Sequence, residues 1–236
     1  MKKFTITMFI LALFATNFVF SQDTQDDLNR PQFMEYITQA GIFTFYIPDA
    51  EKQKSDFNGS PYLYDDFSPG YILVDDSILI NNIELRYNVF AEQMQMKYQN
   101  KVSSIAVPDR VNKVVLNNEI FNYLKFFLKD KIQKGYFCKL TKGKLTLLKK
   151  YKCELIGSSY NKALDAGNKN STFSIKKYYY ILDSKKNISE VKLRKKKILK
   201  LFSDKKDIVK KYADDNNLSF RKEKDLIKII NYYNSL

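Results

Sequence analysis

The sequence predicts an α+β protein: an antiparallel β meander, built as a curved sheet or partly open barrel, followed by a small C-terminal bundle of short helices. Three observations carry this. From residue 60 to residue 183, short apolar runs are separated by the turn signals Pro69-Gly70, Asn81-Asn82, Pro108-Asp109, Asn117-Asn118 and Lys142-Gly143. After residue 194 the apolar spacing becomes helical, with Leu226, Ile229, Ile230 and Tyr233 at i, i+3, i+4 and i+7. Charge divides along the chain as well: residues 22–130 carry 16 Asp/Glu and 10 Lys/Arg, whereas residues 131–236 carry 10 and 28.

Taken in order, residues 1–21 read as a secretory signal peptide. Lys2 and Lys3 precede an uncharged run over 4–20, and Val19 and Ser21 occupy the small-residue positions ahead of a cleavage point between Ser21 and Gln22. Nothing after residue 21 approaches eighteen consecutive apolar residues. The mature chain is therefore expected to be exported without a further transmembrane segment, to the periplasm, the outer membrane or the medium. Residues 22–58 form an acidic N-terminal segment, with one helical turn over 33–37 and a strand over 41–47. The β domain spans 59–193. Its candidate strands are 71–75, 78–80, 83–90, 93–98, 103–107, 113–116, 121–127, 136–140, 144–155 and 173–182, with a long polar loop over 157–170. A basic helical tail, 194–236, is too small to make its own core and is expected to pack on the sheet. Its first helix covers 194–202, and Ser203 is positioned to cap the second.

Two cysteines in an exported chain ordinarily invite a disulfide. A turn at Lys142-Gly143 would place Cys138 opposite Leu147, leaving Cys153 six residues, or ~20 Å, further along the partner strand. Two free thiols are expected.

The segments Gly59-Ser60-Pro61-Tyr62-Leu63, with Phe67 and Gly70, and Leu85-Arg86-Tyr87-Asn88 are joined by Gly135-Tyr136-Phe137, Gly143-Lys144, Leu147-Leu148-Lys149-Lys150-Tyr151 and the tail over 195–236. With these the chain resembles a group of secreted β-rich proteins of Bacteroidetes-like bacteria. The resemblance spans most of the mature chain. It implies export and a β-rich body with a helical tail, and it implies no catalytic residue.

Composition excludes more chemistry than it offers. There is no histidine, which removes His-based triads, imidazole metal ligation and imidazole pH switching. The cysteines are not spaced as a metal or redox pair, no Gly-rich phosphate loop is present, and no cofactor is expected. S-x-x-K pairs, such as Ser174/Lys177 and Ser203/Lys206, arise by chance at this lysine density. Asp66 and Asp75 flank Pro69-Gly70 and would converge if that dipeptide were a turn, leaving a carboxylate-dependent hydrolase as one alternative. Tyr178 and Tyr180, sharing a strand face with Lys176, would suit an extracellular nucleic-acid binder if they lined a groove with the lysines. Arg86, in the sheet region, would pair with a strand carboxylate or point to a ligand anion. Asp76-Ser77-Ile78 matches a short O-glycosylation pattern. Only five of the basic residues are arginines, which makes specific phosphate recognition less expected than a solvated lysine coat. The leading expectation is an exported, non-enzymatic envelope protein that binds a protein partner or an anionic surface, with Arg194, Lys195, Lys196 and Lys197 as candidate surface contacts.

Overall fold

The computed structural model describes residues 41–45, 57–98, 101–128 and 131–236. The expected signal segment with Ser21 and Gln22, the helical turn over 33–37 and the end of the strand over 41–47 lie outside the described residues.

Among the described residues, twelve strands make one open, mostly antiparallel sheet. They are β1 (Phe43–Phe45), β2 (Phe57–Asn58), β3 (Ser68–Val74), β4 (Ile78–Asn88), β5 (Gln93–Tyr98), β6 (Lys101–Ile105), β7 (Val111–Leu116), β8 (Glu119–Leu128), β9 (Lys131–Lys139), β10 (Thr146–Ile156), β11 (Ser171–Leu182) and β12 (Ile188–Val191). Their spatial order is β1-β6-β5-β4-β3-β7-β8-β9-β10-β11-β12, with β2 parallel to the start of β11. The order is thus two meanders sharing one junction. β3 to β6 run in one direction; residues 106–110, including a 3-10 turn at Pro108–Arg110, return the chain to the free side of β3; β7 to β12 then run the other way. The crossover is held at both ends. The Ala106 N–H donates to the Ile42 carbonyl at 2.8 Å, and the Asp75 N–H donates to the Arg110 carbonyl at 3.0 Å.

Strand alternation puts apolar side chains on one face of the first meander, and the curling sheet buries them together with the start of the second. Ile72, Leu85, Met94, Val114, Phe121, Tyr136 and Tyr151 meet there. The reverse face of β8–β12 closes on its own cluster of Phe126, Phe137, Leu148, Tyr180 and Ile188. β10 is therefore covered on both faces over its first half, which explains its unbroken buried run.

The tail supplies α1 (Lys195–Leu199), α2 (Lys206–Asp215) and α3 (Glu223–Ser235). Ile198, Phe202, Val209, Leu226, Ile229 and Ile230 cover Leu147 and Ile181 at the end of β10 and β11, so the helices pack on the sheet as their size requires.

Several local expectations are corrected. Asn81-Asn82 is not a turn: β4 runs through it with a bulge, both asparagines opposing Tyr71 between the Gly70–Ile83 and Ile72–Ile80 pairs, with Asn82 at φ 52°. Pro69-Gly70 is not a turn either. It lies inside β3, and Pro69 sits beyond the end of β7, where its missing N–H costs no ladder bond. The reversal falls instead at Asp75-Asp76, both at positive φ, with the Ser77 N–H donating to the Val74 carbonyl. β1 falls within the strand expected over 41–47, whereas β2 and β12 were not anticipated, both being short strands with little periodicity to read. Cys138 pairs with Lys149 rather than Leu147, because the β9–β10 connection is a wider loop in which Thr141 Oγ1 accepts from the Leu147 N–H. Both thiols are free: Cys153 lies four residues, or ~13 Å, beyond the residue opposite Cys138. Ser203 does not cap a helix. It is the kink, φ 44° and ψ −117°, in a 3-10 segment at Lys200–Lys205 that redirects the chain between α1 and α2.

Candidate functional site

Two of the sequence-nominated residues, Tyr178 and Arg194, meet in a cleft of about 320 Å³ where β11, β12 and the start of α1 come together. Tyr179 pairs with Val191 across β11 and β12, which places Lys177 and Tyr179 on one face of the cleft. After Val191 the chain leaves the sheet through Lys192 and Leu193 and enters α1 at Arg194. The Arg194 carbonyl accepts the first helical bonds, from the N–H groups of Lys197 and Ile198, so its extended backbone marks the helix start. Lys177, Lys192 and Arg194 thereby line one cleft with Tyr178, against a single carboxylate, Glu190.

Of the nominated basic run, Lys195 is engaged: its ammonium donates to Asp214 at 3.0 Å and lies 5.6 Å from the Phe220 ring centre, pinning α1 to α2 and to the following loop. Lys196 and Lys197 are exposed on the first turn of α1. Sequence offered Lys177 only in a chance Ser174/Lys177 spacing, and neither it nor Lys192 was nominated as a surface contact, although the alternation of β11 places Lys177 on the face of Tyr179.

The cleft floor leads inward. The Tyr179 hydroxyl donates to Glu223 of α3 at 2.8 Å. Burial first, and then Glu223, raise its pKa to about 12, so it is a neutral donor near neutrality. Glu223 also reaches Lys149, which is only 4 % exposed and donates to Glu119 at 2.5 Å. Glu119 accepts from the Tyr151 hydroxyl as well, and the Cys138 thiol lies 3.8 Å away. Burial opposes the Lys149 charge, but the hydrogen bond and charge of Glu119 outweigh it and hold the ammonium pKa above its ordinary value. Burial and then Glu119 push the Cys138 thiol up, making it a poor nucleophile.

One residue on, Lys150 enters a second buried pair. β9 and β10 are paired only at Cys138–Lys149 and Lys139–Leu148, and then separate. Glu92, from the β4–β5 turn, fills the gap: it accepts from the Tyr136 N–H at 2.7 Å, from Lys150 at 2.7 Å and from the Tyr87 hydroxyl at 2.9 Å. Gly135 makes room for this pair, since a Cβ there would lie 2.3 Å from the Lys150 ammonium and 2.8 Å from the Glu92 carboxylate. Desolvation lowers the Lys150 pKa, and Glu92 only partly offsets it. Lys149 and Lys150 are thus interior, two exceptions to the solvated lysine coat expected from composition.

The remaining nominated residues separate. Asp66 and Asp75 stand at opposite ends of β3, about 30 Å of extended chain apart. Arg110 engages Asp75 through two nitrogens and holds its carboxyl below the usual range, the reverse of what a general acid needs. Tyr180 is buried in the reverse-face cluster, while Lys176 is paired with Glu154. Arg86 is buried beneath the Pro61–Phe67 stretch, its guanidinium 3.8 Å from the Tyr62 ring centre and 4.2 Å from that of Phe67. It donates to Gln95 Oε1 and to the Asp65 carbonyl. These contacts make it a clamp between the loop and the sheet. Ser77 of Asp76-Ser77-Ile78 is exposed in the β3–β4 turn. Among the described residues no group of three or more Cys, Asp or Glu is arranged to hold a metal ion, and no helix is long and apolar enough to cross a membrane. No family model, curated protein or solved structure matches the chain.

Proposed function

We propose that the mature chain is an exported, non-enzymatic protein of the cell envelope that attaches to an anionic surface through the basic face at the β11–β12–α1 junction. The observation that carries this reading is the convergence of Lys177, Lys192 and Arg194 beside Tyr178 in one cleft, continued on α1 by the exposed Lys196 and Lys197. Basic groups spread over a surface attract a charged surface more readily than a single anion, and each adds about 1 kcal/mol near an anionic membrane. Lysines outnumber arginines here, and lysine acts as a hydrated point charge without demanding fixed geometry. A carboxylate hydrolase receives no support from Asp66 and Asp75, nor a nucleic-acid groove from Tyr180, for the positional reasons given above.

The test is fractionation of native cell envelopes, washed at about 0.05 M and then about 1 M salt, where the screening length falls to ~3 Å. Wild-type chain is expected on the membranes at low salt and in the wash at high salt. The triple variant Arg194→Ala, Lys196→Ala, Lys197→Ala should be released at the first wash. Retention of wild-type chain through the high-salt wash would replace this reading with a tight protein partner, and recovery in the soluble fraction would remove surface attachment altogether.

A further inference from the structure

Outside the cleft, the β8–β9 hairpin carries an arrangement that the fold itself does not use. β8 pairs with β7 only through Glu119–Phe121, and β9 pairs with β10 only at Cys138 and Lys139, so beyond these points the two strands form ladder pairs only with each other. One face of this ribbon is packed: Phe126 sits against Phe137 and Tyr180. The other face is bare only in its outer part, since Tyr136 on the same face is buried in the main core. Phe127 and Ile132 are direct cross-strand partners, and each is 67 % exposed. On the same face two residues further in, Lys125 and Lys134 are also direct partners, and both are exposed. Like charges placed opposite each other in a sheet are destabilising, and among the described residues only Lys134 of the two has an ion partner, Asp109. Between the two strands in sequence, Lys129 and Asp130 add no net charge.

We infer that this ribbon is an interfacial anchor for an anionic lipid bilayer, with Phe127 and Ile132 entering the headgroup–acyl boundary and Lys125 and Lys134 meeting lipid phosphates. The inference rests on the anionic-surface reading above and specifies that surface as lipid. Two locally unfavourable features, an exposed apolar pair and a juxtaposed lysine pair, are both relieved by one partner. A bilayer offers an apolar phase and a plane of negative charge at depths that differ by several ångströms, and the apolar and basic pairs are offset by two residues, about 7 Å along the strands. An acidic polysaccharide would satisfy the lysines but has no apolar phase for the ring.

The chain contains no tryptophan, so Phe127→Trp places a single reporter at the anchor. Purified mature chain is mixed with vesicles of neutral phosphatidylcholine or of phosphatidylcholine with phosphatidylglycerol, and binding is read by co-sedimentation. Insertion is read from the position-127 indole by its emission shift and its quenching by brominated acyl chains. Binding to the anionic vesicles alone, with a blue-shifted, quenched indole, is the expected result. The double variant Phe127→Ser, Ile132→Ser should keep its circular dichroism, since both side chains are exposed, and lose about tenfold in partitioning. If wild-type chain binds anionic vesicles but the indole stays in water and the double variant binds equally well, the ribbon anchor is wrong and the electrostatic reading survives. If wild-type chain ignores both vesicle types, no lipid is the target and the ribbon anchor falls. The envelope wash then decides independently whether another anionic surface remains.

Discussion

Two adjacent lysines in β10 follow opposite physical logic. Lys149 is held by Glu119 at 2.5 Å, with Glu223 at 3.5 Å, and its charge is favoured despite burial. Lys150 has one carboxylate, Glu92, and its charge is disfavoured. Removing one partner of a buried pair is far more damaging than replacing both with apolar groups, because the survivor is left charged without compensation. Glu119→Ala should therefore destabilise the protein by about 3 kcal/mol in guanidinium unfolding, and combining Glu119→Leu with Lys149→Met should recover most of the loss. A cost below ~0.5 kcal/mol for the single variant would show that the pair is not a buried one. Sequence offered a partial signal: Lys149-Lys150 interrupts an apolar strand, which is unusual for solvated lysines. The carboxylates that complete the pairs, Glu92, Glu119 and Glu223, are 58, 30 and 74 residues away from them and could not be read locally.

At the scale of elements, the C-terminal end of the last helix is fastened to the β9–β10 loop through Asn234. Asn234 accepts from the Leu145 N–H at 3.0 Å and donates to the carbonyls of Leu145 and Lys142 at 2.8 Å, so it satisfies the β9–β10 loop that sequence treated as a simple turn. Gly143 belongs to the same contact: its φ is +128°, and a Cβ would lie 2.6 Å from the Asn234 side chain. Asn234→Ala should cost about 2 kcal/mol, because it leaves the Leu145 N–H unpaired. Amide exchange should accelerate in α3 and in residues 140–147 together. Faster exchange in α3 alone would mean that the loop is held independently. The helix itself was legible: Leu226, Ile229 and Ile230 are fully buried at the spacing that predicts them. Its fastening was not, since asparagine near a helix end has many local uses that sequence cannot rank.

Across the whole molecule, the buried donors set the response to alkali. Burial raises the Tyr87, Tyr136, Tyr151 and Cys138 pKa values, with Glu92 or Glu119 adding to it, and Tyr179 stands at about 12. Each keeps its proton in the folded chain at a pH where the unfolded chain has released it, so stability falls as pH rises past 9.0 for the thiol and 10.0 for the phenols. Lys149 adds the same sign: its contribution is complete below 10.5 and is lost as pH rises through its raised value. Lys150 and Lys139 oppose, their desolvation cost disappearing as they deprotonate. The denaturation midpoint should therefore decline progressively between about pH 9 and pH 12, and a flat profile to pH 11 would contradict the buried network. By itself the sequence determined the class of fold, an antiparallel meander with an appended helical tail, because period-two and helical spacing are local consequences of backbone geometry. It also determined the absence of imidazole chemistry and the uneven charge. Only the tertiary structure decided that Asp66 and Asp75 lie at opposite ends of one strand and that Pro69-Gly70 is not a turn. It alone brought Arg194 to Lys177 and left Phe127 and Ile132 bare. Those outcomes depend on register and on which distant strand closes over each face, and such pairing energies arise between residues that share no neighbourhood in the chain.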